Sequence, residues 1–374
     1  MNHLRHRILI AAFLASLLVP GLLAVLAPLS ALLPKTPQVP LLRSPSMRSF
    51  PQRFEQFFES HLGGRHALVA VDHAIYYWGF AMSPTDAVIV GEQGWAFLNQ
   101  DYMPQSLAGE PFAQGQLEQW LAVFKDAQRF VATWKGQLLV VVAPNKASIY
   151  PEYLPASIKS ARGVPRLDKF NRKLVAEGIE VLDLRPAMAA AKSRAPTHCK
   201  FDTHWNGWGA LVATREIAKS ISAMTSKPVQ FDLGAFKFVS KPYVGDLASM
   251  MVIEPFVNNT THSPVARIPM AKRLDLPTQQ IAAGGPVWNE GALAFSSQNK
   301  DGPTVLVHHD SFGLPLVNVL PHVLGDSVWL YFTRSFNHAA LSRTKPDVVV
   351  YLIAERYLHQ DPPTLPSEDL HLNE

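Results

Sequence analysis

The chain has a single cysteine in 374 residues, Cys199, so no intramolecular disulfide can form. It has no Lys/Arg run and no zinc-finger spacing. Its 34 basic residues are scattered and the net charge is only +4, which argues against nucleic acid as a partner. No internal repeat and no low-complexity domain is visible. Charged residues make up 17% of the chain against 48% hydrophobic ones, which excludes a disordered protein and is enough for one large core or two modest ones. One large α/β domain is the simplest reading. Cys199 stands just before Asp202. Nothing around it marks a lowered-pKa thiolate, so it reads as a small core residue in preference to a thiol nucleophile.

Only one run is long enough to cross a bilayer, which takes about 20 residues. It extends from Ile8 to Leu33, interrupted by Ser16, Pro20, Gly21, Pro28 and Ser30, and it follows a basic start with Arg5 and Arg7. The one tolerable cleavage site, Val25-Leu26-Ala27, would leave Pro28 next, which favours an uncleaved anchor over a removed signal. Lys35, Arg43 and Arg48 follow the run, so flanking charge does not set orientation. The long C-terminal body is expected to translocate regardless. Residues 1–33 are therefore read as an N-terminal membrane helix and 34–51, rich in proline and serine, as a tether. Residues 52–360 are read as the body and 361–374 as a fraying tail.

Within the body, residues 54–80 read as helical, with Phe54, Phe57, Phe58 and Leu62 on one side. Residues 87–98 give two apolar runs around a Gly-bounded turn, a hairpin. A helix is expected over 116–135, stopped by Gly136, then a buried strand over 138–142. Another helix over 166–177, closed by Gly178, leads to a strand over 179–184. The rhythm resumes at 305–307, 327–332 and 347–353. Strand, helix, strand at these lengths predicts a mostly parallel sheet with helices on both faces. The stretch of about 225–302 breaks the rhythm and reads as an inserted excursion with a short helix near 245–251, either framing a groove or covering a sheet edge.

The chemistry concentrates in two places. Asp202-Thr203-His204 lies directly ahead of an amphipathic helix expected over 206–223. In an extended segment residues i and i+2 share a side, so Asp202 can hold one ring nitrogen of His204 and leave the other free. About a hundred residues on, Thr304 to Gly313 reads as a buried strand ending in a turn, with a helix expected from near Pro315. Ser311 then sits on the bend, where a hydroxyl is exposed and backbone N–H groups can stabilise an oxyanion. Asp202, His204 and Ser311 make a candidate acyl-transfer triad, defined by roles and not by chain order. Among fourteen histidines an Asp-x-His can arise by chance, and Asp is common at helix starts. His198, Cys199, Asp202, His204, His308 and His309 are all ligand types, yet their spacing matches no closed zinc pattern, so no metal is expected. Arg334 can grip an anionic ligand or lie idle on the surface. Trp205 and Trp208 either stack on a ligand ring or pack the helix mouth, with packing favoured for Trp208, and Asp246 reads as a cap of the short helix.

Several blocks together resemble the alginate O-acetyltransferase family of AlgX and AlgJ, a rearranged relative of SGNH hydrolases. They are Gly91-Glu92-Gln93-Gly94-Trp95-Ala96-Phe97-Leu98, Pro144-Asn145-Lys146 with Ile149-Tyr150-Pro151-Glu152, Leu154-Pro155, Asp202-Thr203-His204-Trp205, Gly245-Asp246-Leu247, Asp310-Ser311-Phe312, and Pro346 to Val350 running on to Glu355-Arg356. They cover residues 85–358. The resemblance implies an SGNH-like α/β fold and a catalytic triad of Asp202, His204 and Ser311. It implies transfer of acetyl groups to an exported polysaccharide outside the cytoplasmic membrane, with a membrane-bound acyltransferase passing the acetyl unit and other export proteins nearby. The anchored N-terminus suits the AlgJ-like arrangement, and the chain leaves no room for the extra carbohydrate-binding domain of the AlgX type. Where SGNH enzymes carry glycine before Asp-Ser, this chain has His309. Asn145, after its strand, is the candidate for the oxyanion asparagine.

The expected chemistry is two-step through a Ser311 acetyl-enzyme, with His204 as base and no metal or organic cofactor. An extracytoplasmic carbohydrate esterase would use the same triad and differ only in whether water resolves the acyl-enzyme. A non-catalytic scaffold of an export complex is the reading of a different class.

Overall fold

The computed structural model describes residues 65–101, 103–274, 280–281, 285–286, 292–331 and 336–362. The expected anchor, the tether, the aromatics at 54–58 and the tail from 363 lie outside the described residues. The chain divides into two units, Met1–Phe80 and Ala81–Glu374. In the first, Arg65–Ala74 is an α-helix that continues as a π-helical turn, Ile75–Gly79, so the later part of the expected 54–80 helix is helical.

The second unit begins with the hairpin β1 (Val88–Val90) and β2 (Ala96–Leu98), antiparallel with Val90 opposite Ala96. Next comes α1, Gln116–Ala132, whose buried side carries Trp120, Val123, Phe124, Ala127 and Val131 at helical spacing. The residue that takes the left-handed conformation after it is Lys135 (φ 67°), ahead of Gly136 where the stop was expected. Strand β3 (Gln137–Ala143), α2 (Arg166–Ala176) and β4 (Glu180–Asp183) follow, with Gly178 at φ 74° in the turn between α2 and β4. Helix α3, Gly207–Thr225, is capped by Asn206, whose side chain accepts from the Gly209 N–H at 3.0 Å.

The elements that frame the rest of the sheet and the site are β5 (Phe236–Tyr243), α4 (Asp246–Met250), β6 (Asn259–Ala266), β7 (Ala271–Leu274), β8 (Leu293–Ser297), β9 (Val305–His309), β10 (Ser327–Tyr331), α5 (His338–Thr344) and β11 (Val348–Ala354). The main sheet has the order β4-β3-β11-β9-β10-β8-β7. Its first five strands are parallel, while β8 runs antiparallel to both β10 and β7. The sheet is thus mostly parallel, as expected, with one strand, β8, running against the rest. That edge comes from the inserted stretch: β7 and β8 belong to it and extend the sheet, while β5 and β6 form a separate antiparallel ribbon.

Alternate residues of the central strands feed two cores. Leu139, Val141, Val305, Val307, Val350 and Leu352 face α3, and Leu138, Val140, Val142, Leu306, Val349 and Ile353 belong with α1, α2 and α5. Strands buried on both faces need continuous apolar runs, and these have them. The helix expected near Pro315 does not form. Short 3-10 turns, Ser311–Gly313, Leu316–Asn318 and Leu320–His322, connect β9 to β10 instead. Pro315 and Pro321 remove donors, and Val317, Val319 and Val323 have low helix propensity.

Candidate active site

The carboxyl ends of β3, β11 and β9 are neighbours in the sheet, so Asn145, Glu355 and Ser311 follow strands that end along one edge. That edge is where open α/β sheets present their ligands. Asp310 shapes the turn at Ser311: its Oδ1 accepts from the Phe312 N–H at 2.8 Å and its Oδ2 from the Ala354 N–H at 2.6 Å. Asp310 is buried, and burial pushes its carboxyl up despite these donors. His309, before the Asp310-Ser311 pair, is accommodated by Gly313. A Cβ on Gly313 would come within 2.3 Å of the His309 ring, and His309 Nδ1–H donates to the Asp310 carbonyl at 2.8 Å.

The segment carrying Asp202 and His204 is a loop closed by an isolated bridge between His198 and Trp205. Lys146, just past β3, is buried beneath it. Its Nζ donates to the carbonyls of Cys199 (3.2 Å), Lys200 (3.0 Å) and Asp202 (2.7 Å). Three acceptors match the three hydrogens of an ammonium. Burial pushes the Lys146 pKa down to about 7, against the pull of Asp202 and Asp246.

His204 Nε2 lies 2.8 Å from Ser311 Oγ, and its Nδ1 lies 2.9 Å from Asp202 Oδ1. The same carboxylate oxygen accepts the His204 backbone N–H at 2.6 Å. Asp202 is 2% exposed. Burial would raise its pKa, but the hydrogen bonds from His204 and Tyr243 outweigh that and hold it below the usual carboxylate value. With Nδ1–H directed at Asp202, Nε2 is left to accept the serine proton, a line along which a hydroxyl can be deprotonated.

Two partners were not foreseen as part of the site. Tyr243, the last residue of β5, donates its hydroxyl to Asp202 Oδ2, the oxygen His204 does not use. Asp246, read only as a cap, accepts from the Thr203 backbone N–H at 2.8 Å and from the Thr203 hydroxyl, and its Oδ2 is 3.5 Å from His204 Nδ1. Its presence in the Gly245-Asp246-Leu247 block was the available signal. Tyr243 lies in a strand of the irregular stretch, and no spacing marks it.

The cleft at Ser311 measures about 290 Å³ and is lined by Asp202, His204, Trp205, Tyr243, Leu314 and Asn318 among others. Trp205 is thus on its wall, packed edge-on against Phe312 at 5.0 Å. Asn145 lines a separate small cavity with Lys146, Thr203 and Arg356. Arg334 lies outside the described residues. Two amides of the turn are already engaged: Phe312 N–H donates to Asp310 Oδ1, and Gly313 N–H donates to the Asp310 carbonyl at 3.0 Å. Among the described residues, the Asn145 amide nitrogen and the Trp205 indole nitrogen are buried donors with no partner.

Of the ligand-type residues, Asp202 and His204 come together and His308 stands apart. His308 packs against Phe336 and Tyr351, among residues of the second core, and burial lowers its pKa to about 3. Among the described residues, Asp202, His204 and Asp246 have donor atoms within 4.8 Å of one another, but those atoms are taken up by the hydrogen bonds just described. Cys199 lines the cleft, and burial pushes its thiol up to about 11.

A sheet flanked by helices, with acid, base and hydroxyl side chains on loops beyond the strand ends, makes this an α/β domain of the kind that places its chemistry at the carboxyl edge of the sheet. The chain belongs to the family described as the SGNH hydrolase-like domain of acetyltransferase AlgX, which it matches over residues 88–278. That span includes Asp202 and His204 and ends before Ser311. The probable alginate O-acetylase AlgJ of Pseudomonas putida is 24% identical over 348 residues, covering 87% of this chain and 82% of the relative. The protein of the same name from Pseudomonas syringae pv. tomato is 24% identical over 303 residues, 73% of this chain and 70% of the relative. Among solved structures, the O-acetyltransferase domain of Pseudomonas putida AlgJ is similar with a TM-score of 0.50 and 20% identity, covering 74% of this chain and 94% of that one. Bacillus cereus PatB1 with a sulfonyl adduct gives a TM-score of 0.55 at 12% identity, covering 75% and 97%.

Proposed function

We propose that the protein is an O-acetyltransferase that esterifies hydroxyl groups of an exported, alginate-like polysaccharide through an acetyl-enzyme on Ser311. The observation that carries this reading is the His204 imidazole held between Ser311 Oγ at 2.8 Å and Asp202 Oδ1 at 2.9 Å. The names of the relatives, alginate O-acetylases, favour acetyl as the group and a polysaccharide as the acceptor.

His204 takes the Ser311 proton as Oγ attacks the acetyl carbonyl; the C–O bond to the serine forms, and the donor leaves with the proton from the imidazolium. A sugar hydroxyl then attacks the acetyl-enzyme, its proton passing to His204 and on to Ser311 Oγ as that bond breaks. Asp202 keeps the ring in the tautomer that presents Nε2 and favours the imidazolium formed in each step. Trp205, on the wall of the cleft, is the candidate donor to the oxyanion, and Arg334 remains a candidate for the sugar.

The acetyl donor is a membrane-bound acyltransferase partner, other export proteins are neighbours, and the acceptor chain is in transit. The apolar run of residues 1–33 supports a single-pass anchor in the inner membrane, residues 34–51 a tether, and the body a periplasmic location. Among the described residues no helix is long and apolar enough to span a membrane.

The test of the chemistry is mass spectrometry of the chain after exposure to a chromogenic acetyl ester. An acetyl adduct on Ser311 that is absent in His204→Ala is expected; an adduct elsewhere, or none, overturns the reading. Protease added to spheroplasts tests location: the body is digested if it faces the periplasm and survives if it faces the cytoplasm.

A further inference from the structure

Strand β11 ends between the two halves of the site. Its last residue, Ala354, stands opposite Ala143 at the end of β3, and its N–H donates to Asp310 Oδ2 at 2.6 Å, which ties it to the turn that carries Ser311. The next residue, Glu355, reaches the other way. Its Oε2 accepts from the Asn145 N–H at 2.8 Å and from the Ser148 hydroxyl at 2.7 Å. Those two donors bracket Lys146 in a single helical turn, Lys146–Ile149, and the Lys146 ammonium holds the carbonyls of Cys199, Lys200 and Asp202. Two consecutive residues at one strand end thus hold the turn of the nucleophile and, by way of Lys146, the loop of the base.

Glu355 is an expensive side chain to keep in this place. It is 1% exposed, and burial pushes its carboxyl up. Its second oxygen, Oε1, has no hydrogen-bond partner among the described residues. An apolar side chain would fill the same volume with no carboxyl to desolvate, so packing alone does not account for it. What an apolar residue lacks is an acceptor for the Asn145 N–H and the Ser148 hydroxyl. An acceptor at that point fixes where the turn begins, and hence where the Lys146 stem starts.

We infer that Glu355 is a positioning residue for the triad, which sets the distance between His204 and Ser311 by aiming Lys146 at the loop that carries Asp202. The inference rests on the reading of Ser311 and His204 as an acylating pair. A Glu355 that served stability alone would govern how much of the protein is folded. A positioning Glu355 governs kcat of the folded protein, since a misplacement of about 1 Å between reacting groups costs up to about a hundredfold in rate.

The test uses the full-length chain well below the melting midpoint of each variant. It reads cleavage of a small chromogenic acetyl ester and, separately, the downfield proton resonance of His204 Nδ1–H, assigned by its loss in His204→Ala. Glu355→Leu is expected to lower kcat about tenfold or more with little change in KM, and to shift the resonance or broaden it away. Glu355→Gln keeps an oxygen at the same point and is expected to recover most of kcat and the resonance. Adding Lys146→Met to Glu355→Leu should lower kcat hardly more than Lys146→Met alone, because the effect passes through Lys146. Should Glu355→Leu fail to fold, Ser148→Ala removes one of the two donors and is expected to lower kcat about threefold, with the resonance shifted in the same direction. Unchanged kcat and resonance in folded Glu355→Leu, or in Ser148→Ala where that variant stands in for it, overturns the inference, as does full additivity with Lys146→Met. A resonance that responds as described, in a protein whose parent neither cleaves the ester nor acquires an acetyl group, upholds the positioning role and overturns the acyl-enzyme reading instead.

Discussion

Tyr243 donates its hydroxyl to Asp202 Oδ2 while His204 holds Oδ1, so one buried carboxylate is shared between the β5–β6 ribbon and the helix mouth. Burial and the nearby Asp202 charge both raise the Tyr243 pKa, which keeps the hydroxyl protonated as a donor. Tyr243→Phe removes that donor and leaves the full carboxylate charge to the imidazolium. The acid limb of kcat/KM for a small acetyl ester is expected to move to higher pH, by about one unit or less. A pH–rate profile checks it, and a limb that moves down contradicts the arrangement.

Asp246→Asn has the opposite sign. Its Oδ2 is 3.5 Å from His204 Nδ1, so the substitution takes one negative charge from beside the ring. The acid limb is expected at lower pH than in the parent, and the Thr203 hydrogen bonds are largely kept by the asparagine. The two profiles measured together separate charge effects from general loosening of the site, which would lower the plateau in both without opposite displacements.

Ser311→Ala and His204→Ala are each expected to lower kcat on a small acetyl ester at least about a thousandfold. Making both changes should cost hardly more than making one, because a base without its nucleophile has nothing to deprotonate. Additive losses would show that the two do not act as a unit.

Lys146→Met keeps length and removes the ammonium from three carbonyls in the loop that carries Asp202. Leaving buried acceptors unsatisfied costs about 2–3 kcal/mol, and loss of activity beyond the loss of stability is expected as the loop relaxes. The pH dependence has a definite sign. The folded pKa of about 7 lies below the ordinary lysine value, so between the two the unfolded chain binds the extra proton. The contribution of Lys146 to stability therefore rises with pH across that window and is lowest below 7. Denaturant melts of the parent and Lys146→Met at several pH values check it.

Gly313→Ala would drive a methyl into the His309 ring, with about 1–3 kcal/mol expected from the overlap. Adding His309→Gly should recover part of that loss. No recovery would mean that something other than the ring fills the space.

Much of the architecture was legible because the strands are apolar throughout and the helices periodic. Residues 138–142, 305–307 and 347–353 announce buried parallel strands, and Trp120, Phe124 and Val131 announce α1. The edge strands were not legible. Ala271–Leu274 exposes Lys272, Arg273 and Leu274, so it carries no buried alternation, and its place beside β8 is set by pairing over a long sequence separation. In the site, Asp202 and His204 were readable because two residues of extended chain put them on one side, and Ser311 because a strand ends there. Tyr243 could not be read: its role depends on Gly245 and Asp246 lying against the loop from 201 to 203, a contact between segments about 40 residues apart that no local pattern encodes.

Gly245 makes that contact possible, since a Cβ there would fall 1.9 Å from the Phe201 carbonyl oxygen. The ribbon segment and the triad loop are backbone to backbone at that point, and Leu247 and Ala248 add N–H bonds to the same carbonyl. The excursion is consequently not an interchangeable module. Grafting residues 225–302 from a distant homologue would therefore replace Tyr243 and Asp246 together with the rest of the stretch, and with them the partners of Asp202 and Thr203. Sequence change in the excursion should be tolerated at the outer end of the ribbon and resisted at its seam with Phe201.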